Sequence, residues 1–295
     1  MVPIRAAILA PLAALGASLA LSPLAAQEAD PLGACKASLR GYATWFTEYE
    51  ATAVWRETLR GTGPGTIHLF GASHSRDPEH PQFAELDSAW AAAGATVVFY
   101  EGPNRDIAAD GVETIRTTGE SGYLRFLARR DGARIARLEP NPQEEVNATL
   151  AHFTPEEVKL FFVLREAARL RGTGSSLEEV EAQTARLLEM TGKMFKGFDG
   201  TFATITELEA AYRRRWSEPA DWRMVPQSWF GPQMGSDTVD VPITKKINRV
   251  SSEFRNLHMA RMIAAEAQNG ERVFVVVGRN HVPMIAPALR CVVGG

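Results

Sequence analysis

The sequence predicts an α/β protein with a largely parallel central sheet, flanking helices and a large helical insertion between the third and last core strands. Three observations carry this. Apolar runs rich in β-branched and aromatic residues, Thr66–Phe70, Ala95–Tyr100 and Ala133–Leu138, alternate with helix-patterned segments, the order of βαβ units. The stretch from about 143 to 269 is helix-patterned almost throughout. A further apolar run, Arg272–Val277, then returns the chain to a strand.

Taken in order, residues 1–26 carry Arg5, an apolar stretch from Ala6 to Ala20, and small residues up to Ala26. That is the pattern of a secretory signal peptide cleaved near Ala26, not of a membrane span, because polar sequence follows at once. Gln27 stands where a lipid anchor would need cysteine. The expectation is an exported chain, periplasmic or secreted, with residues 27–295 forming one domain. Its 32 basic and 35 acidic residues nearly balance, which does not suggest a nucleic-acid footprint. Cys35 and Cys291 lie at opposite ends of the mature chain, where an oxidising compartment would let them form one disulfide; two buried thiols are the alternative.

Leu39, Tyr42, Trp45, Phe46, Tyr49, Val54 and Trp55 recur at helical spacing and predict a helix or helix pair from Ala37 to about Arg60. After the first strand come a loop at Ser75–Pro81 and a helix over Gln82–Ala93 stopped by Gly94. The second strand ends at Glu101-Gly102-Pro103. Helical pieces between about Gly111 and Arg130, interrupted around Gly119 and Gly122, lead to the third strand and Glu139-Pro140. Within the insertion, Thr154-Pro-Glu-Glu157 and Ser176-Leu-Glu-Glu179 are capping boxes that start two helices. An aromatic, proline-broken loop, Trp222–Pro232, precedes a long helix over Ile243–Gln268.

The functional signal is a device that occurs twice. Gly71-Ala-Ser-His74 and Gly278-Arg-Asn-His281 each follow an apolar run and deliver an imidazole three residues past a glycine. Glu101 and Glu139 stand at the ends of the other two strands. In parallel sheets, ligand crevices form outside the carboxyl ends of strands, so these four side chains would converge. Imidazole with carboxylate suits zinc, manganese or cobalt, and a metal-bound water is acidic enough to attack a carbonyl near neutral pH. The expected ligands are His74, Glu139 and His281, with Glu101 as general base and Arg255 as electrophilic anchor; the two glutamates could exchange roles. The plainer readings make Glu101 and Glu139 turn residues, His68 a hydrogen-bonded core histidine and Arg255 half of a helix-surface ion pair.

At these residues, taken in chain order with Leu138-Glu139, Gln143, Asn256 and Met259, the sequence resembles the TraB/GumN and TIKI families of the erythromycin-esterase/ChaN-like superfamily. The resemblance covers most of the mature chain. It departs from the pattern at Ala72, where members often have threonine, and at Val282-Pro283 after the second histidine. It implies an α/β core with a helical insertion and, for TIKI-type members, a manganese- or cobalt-dependent peptidase acting on a peptide or small-molecule substrate through both Gly-x-x-His histidines. The superfamily also implies two alternatives. One is a haem or small-ligand binding protein, with the Trp222–Phe230 loop supplying an aromatic groove. The other is a metal-free esterase in which His74 is the base and Glu101 orients it.

Overall fold

The computed structural model describes residues 29–233 and 242–294; the segment 1–26, read above as a signal peptide, lies outside them. Five strands form one sheet: β1 (Arg56–Leu59), β2 (Thr66–Ala72), β3 (Val97–Tyr100), β4 (Arg134–Arg137) and β5 (Arg272–Gly278), in the order β1-β2-β5-β3-β4. Only the β1–β2 pair is antiparallel. The chain runs from β2 to β3 leaving one strand position between them, and β5 fills it 172 residues after β3 ends. The carboxyl ends of β2, β5, β3 and β4 therefore share one edge of the sheet, with Ala72 beside Gly278.

Each face of the sheet buries its alternate residues against helices. Ile67, Leu69, Val97, Phe99, Val273 and Val275 pack on the C-terminal half of α7 (Ile243–Gln268) and on α8 (Val282–Gly294). On the other face Phe70, Val98, Tyr100, Phe274 and Val276 meet α1 (Gln82–Ala93) and α2 (Gly111–Asp131). Strand β3 and residues Val273–Val277 of β5 are apolar at every position because both faces are covered there. A second core joins α4 (Pro155–Gly172), α5 (Leu177–Met194) and α6 (Ile205–Arg213), with Ile247 of α7 entering it; α3 (Pro142–Leu150) leads into this helical layer. Thus α7, 26 residues long, belongs to both cores, and its later turns are part of the sheet layer, not of an inserted lobe. Both predicted capping boxes form, at Thr154/Glu157 and Ser176/Glu179.

The expected helix over 37–60 does not form. Short 3-10 and π turns occupy Gly33–Thr52, and Arg56–Leu59 pairs with β2 as an edge strand. The aromatic spacing is real, but Tyr42, Trp45, Tyr49 and Trp55 pack among themselves and on Met284. Strand pairing overrides the weak β propensity of Arg-Glu-Thr-Leu. Thr58 also answers His68, whose Nδ1 lies 3.0 Å from its hydroxyl; burial holds that imidazole below its ordinary pKa, as for a core histidine. Cys35, in the first turn, is disulfide-bonded to Cys291 of α8. Among the described residues no helix is long and apolar enough to cross a membrane.

Candidate active site

All five predicted site residues lie at the shared strand edge. His74 follows β2 by two residues, Glu101 follows β3 directly, Glu139 follows β4 by two, and His281 follows β5 by three. Arg255 reaches them from the middle of α7. Its Nη2 donates to Glu101 Oε1 at 2.7 Å and to Glu139 Oε1 at 3.1 Å, and its Nε to Glu139 Oε2 at 3.3 Å. It is not a surface ion pair: burial opposes its charge, but Glu101, Glu139 and Glu145 outweigh this and raise its pKa. Neither glutamate is a plain turn residue. Glu101 Oε2 accepts the Gly278 N–H at 2.6 Å, and Glu139 Oε1 accepts the Gly102 N–H at 3.0 Å. Burial works against the Glu101 carboxylate, yet His281, Arg255 and the Gly278 amide hold its pKa well below the ordinary range.

The two imidazoles are anchored in the same way. His281 Nδ1 lies 2.5 Å from Asn256 Oδ1, while its Nε2 lies 3.5 Å from Glu101 Oε1. His74 Nδ1 lies 2.7 Å from Glu120 Oε1. The other end of that ring meets Gly278, where a Cβ would stand 2.8 Å from His74 Nε2 and 3.3 Å from Glu101 Oε2. Gly278 is glycine because His74 and Glu101 approach its Cα together; its φ of −52° needs no left-handed freedom. The left-handed residue is His74 itself, with φ 51°, a conformation uncommon outside glycine that clusters at functional sites.

Glu120 is the residue the sequence reading missed. It sits in α2 just past Gly119, whose φ of 66° breaks the helix against the Ser75 carbonyl. The break turns Glu120 toward His74 and buries its carboxylate to 7% exposure, while His74 remains 66% exposed. The hydrogen bond to Glu120 raises the His74 pKa, burial opposing it. The interruption at Gly119 was visible in the sequence; nothing there tied Glu120 to His74, 46 residues away.

His74 stands between two clefts. One, of about 790 Å³, is walled by His74, His281, Arg255, Glu139 and, from α4 and α7, Arg165 and Asn248. The other, of about 720 Å³, is walled by His74, Glu101, Glu120 and several arginines. The aromatic loop contributes Gln227 and Pro232 to the first cleft but no aromatic groove: Trp222 and Phe230 are buried in the helical core. The expected ligands His74, Glu139 and His281 do not gather as a three-residue metal group in this arrangement. Among the described residues no three His, Cys, Asp or Glu side chains form a metal-holding group, and both Glu139 oxygens are engaged by Arg255 and a backbone amide. Comparison of the chain with protein-family models, curated proteins and solved structures gives no match.

Proposed function

We propose that this corner is the active site of an exported hydrolase acting on an ester or amide bond, with His74 as general base. The observation that carries the reading is the Glu120–His74 pair, whose free Nε2 lies beside Gly278 and Glu101 at the mouth of both clefts. Glu120 holds Nδ1, which leaves Nε2 as the atom that takes a proton from water. The water oxygen attacks the carbonyl carbon, and the developing oxyanion faces Arg255 Nη1, which has no partner among the described residues. His74 then returns the proton to the leaving group. The base role falls to His74 and not to Glu101, because a carboxylate held so far below its ordinary pKa is a weak base. Glu101 positions His281 and Arg255 instead, and the partner that orients His74 is Glu120. Export to the periplasm or beyond is supported by the signal-like segment 1–26 and by the disulfide. The ordered motifs quoted above support a divergent place in the TraB/GumN–TIKI group.

A metal-dependent peptidase is the second reading. Both histidines have Nδ1 held by an oxygen, the usual outer contact of a metal-bound imidazole, so His74 and His281 are the side chains that would hold manganese, cobalt or zinc. One experiment separates the readings: hydrolysis of an ester and amide panel by the purified chain, in excess chelator and again with each metal added. General-base catalysis predicts activity in chelator and its loss, by roughly 100-fold or more, in His74→Asn. Activity only with metal transfers the function to the second reading, and no protein-dependent hydrolysis in any condition overturns both.

A further inference from the structure

The cleft on the Glu101 side of His74 carries an excess of positive charge that the proposed hydrolysis does not use. Arg76 from the loop after β2, Arg105 from the loop after β3, and Arg125 from α2 all line it. Among the described residues none of the three has a carboxylate within ion-pair distance, although fifteen arginine–carboxylate pairs occur among them. The two acids in the same wall are already engaged, Glu101 with Arg255 and Glu120 with His74. Arg125 is the most telling of the three, at 7% exposure. Its Nη2 donates to the Arg105 carbonyl at 2.5 Å, and its guanidinium lies 5.0 Å from the centre of the Tyr100 ring. These contacts fix the plane of the fork but do not balance its charge. A buried guanidinium is ordinarily paired, and this one has no carboxylate partner among the described residues.

We propose that this cleft binds a phosphate group, and, resting on the hydrolase reading, that it holds the phosphate-bearing end of the substrate while the bond to be cut lies at His74. Three separate guanidinium forks suit a tetrahedral, multiply charged oxyanion better than a planar carboxylate, which two forks saturate. The volume of about 720 Å³ leaves room for a group larger than phosphate alone. The Ser121 hydroxyl, also in the wall, adds a neutral donor.

The test is calorimetric titration of the full mature chain with inorganic phosphate, and separately with acetate, at constant ionic strength. Saturable phosphate binding is expected, weakened at least tenfold in the Arg76→Gln/Arg105→Gln double variant, whose side chains are exposed and do not hold the fold. Arg125→Gln should weaken it further where that variant folds. His74→Asn should keep phosphate binding while losing hydrolysis, so the two proposals stand or fall separately. No saturable phosphate binding, binding unchanged in the double variant, or saturation by acetate alone overturns the inference.

Discussion

Replacing Arg255 with methionine removes the cation that lets two carboxylates sit at the strand edge. Arg255 is 16% exposed at its side chain, Glu101 14% and Glu139 15%, so solvent screens the trio weakly. Removing one member of such a buried arrangement costs about 3–5 kcal/mol, because the remaining charges lose their partner. Against a total of about 5–15 kcal/mol for a domain, that is a large share. With a urea slope of about 2–3 kcal/mol/M, the midpoint should fall by about 1–2.5 M, read by tryptophan fluorescence. The defect has a pH signature. Arg255 helps to hold the Glu101 pKa well below the ordinary carboxylate range, so its contribution is full at neutral pH and is lost as pH falls through the folded Glu101 value, and the variant's deficit shrinks in acid. Glu139→Gln leaves Arg255 with Glu101 and should cost only about 1–2 kcal/mol. The triple variant Arg255→Met/Glu101→Gln/Glu139→Gln should regain a good part of the loss, since no charge remains to be paired. A midpoint shift under about 0.3 M for Arg255→Met, or a deficit that grows in acid, would refute this account of the trio.

Gly278→Ala should reduce hydrolysis at least tenfold with little change in unfolding midpoint: the new methyl meets the exposed ring of His74 and one oxygen of Glu101, and the ring can swing out. Unaltered kinetics in that variant would show that the approach of His74 to Gly278 has no functional weight. The Cys35–Cys291 bridge spans 256 residues and is worth about 5 kcal/mol in the chain-entropy model. Reductant or Cys35→Ser should therefore lower the melting temperature by several degrees or more, and thiol blocking before mass spectrometry should leave both cysteines unmodified. Two blocked cysteines in exported protein would contradict the pairing.

The sheet was legible because buried parallel strands are unmistakable in sequence: Val97–Tyr100 and Val273–Val277 are apolar at every position. The strand-end logic carried the site equally well, since a residue just past a parallel strand has little freedom about which edge it joins. Helix starts were readable where a cap and its glutamate lie three residues apart, although the same box at Thr204/Glu207 was passed over. What escaped depended on contacts distant in sequence. β1 has no propensity of its own and exists through its pairing with β2. Glu120 acquires its role from a helix break that packs against Ser75. Gly278 serves a close approach of His74 and Glu101, and the left-handed backbone belongs to His74, neither of which the motif itself discloses.

The most direct test of the His74 assignment is the pH dependence of hydrolysis in chelated buffer, wild type against Glu120→Gln. Catalysis needs the neutral ring, so the rate rises with pH through the His74 pKa. The bond to Glu120 favours the charged ring and places that rise above the ordinary imidazole value of about 6.5. By the same linkage, the bond contributes stability below the unfolded pKa that is lost as pH rises through the folded one. Removing the Glu120 charge should move the rise to lower pH and reduce the plateau rate at least tenfold. A wild-type rise that stays in place in Glu120→Gln, at an undiminished plateau, would contradict the account.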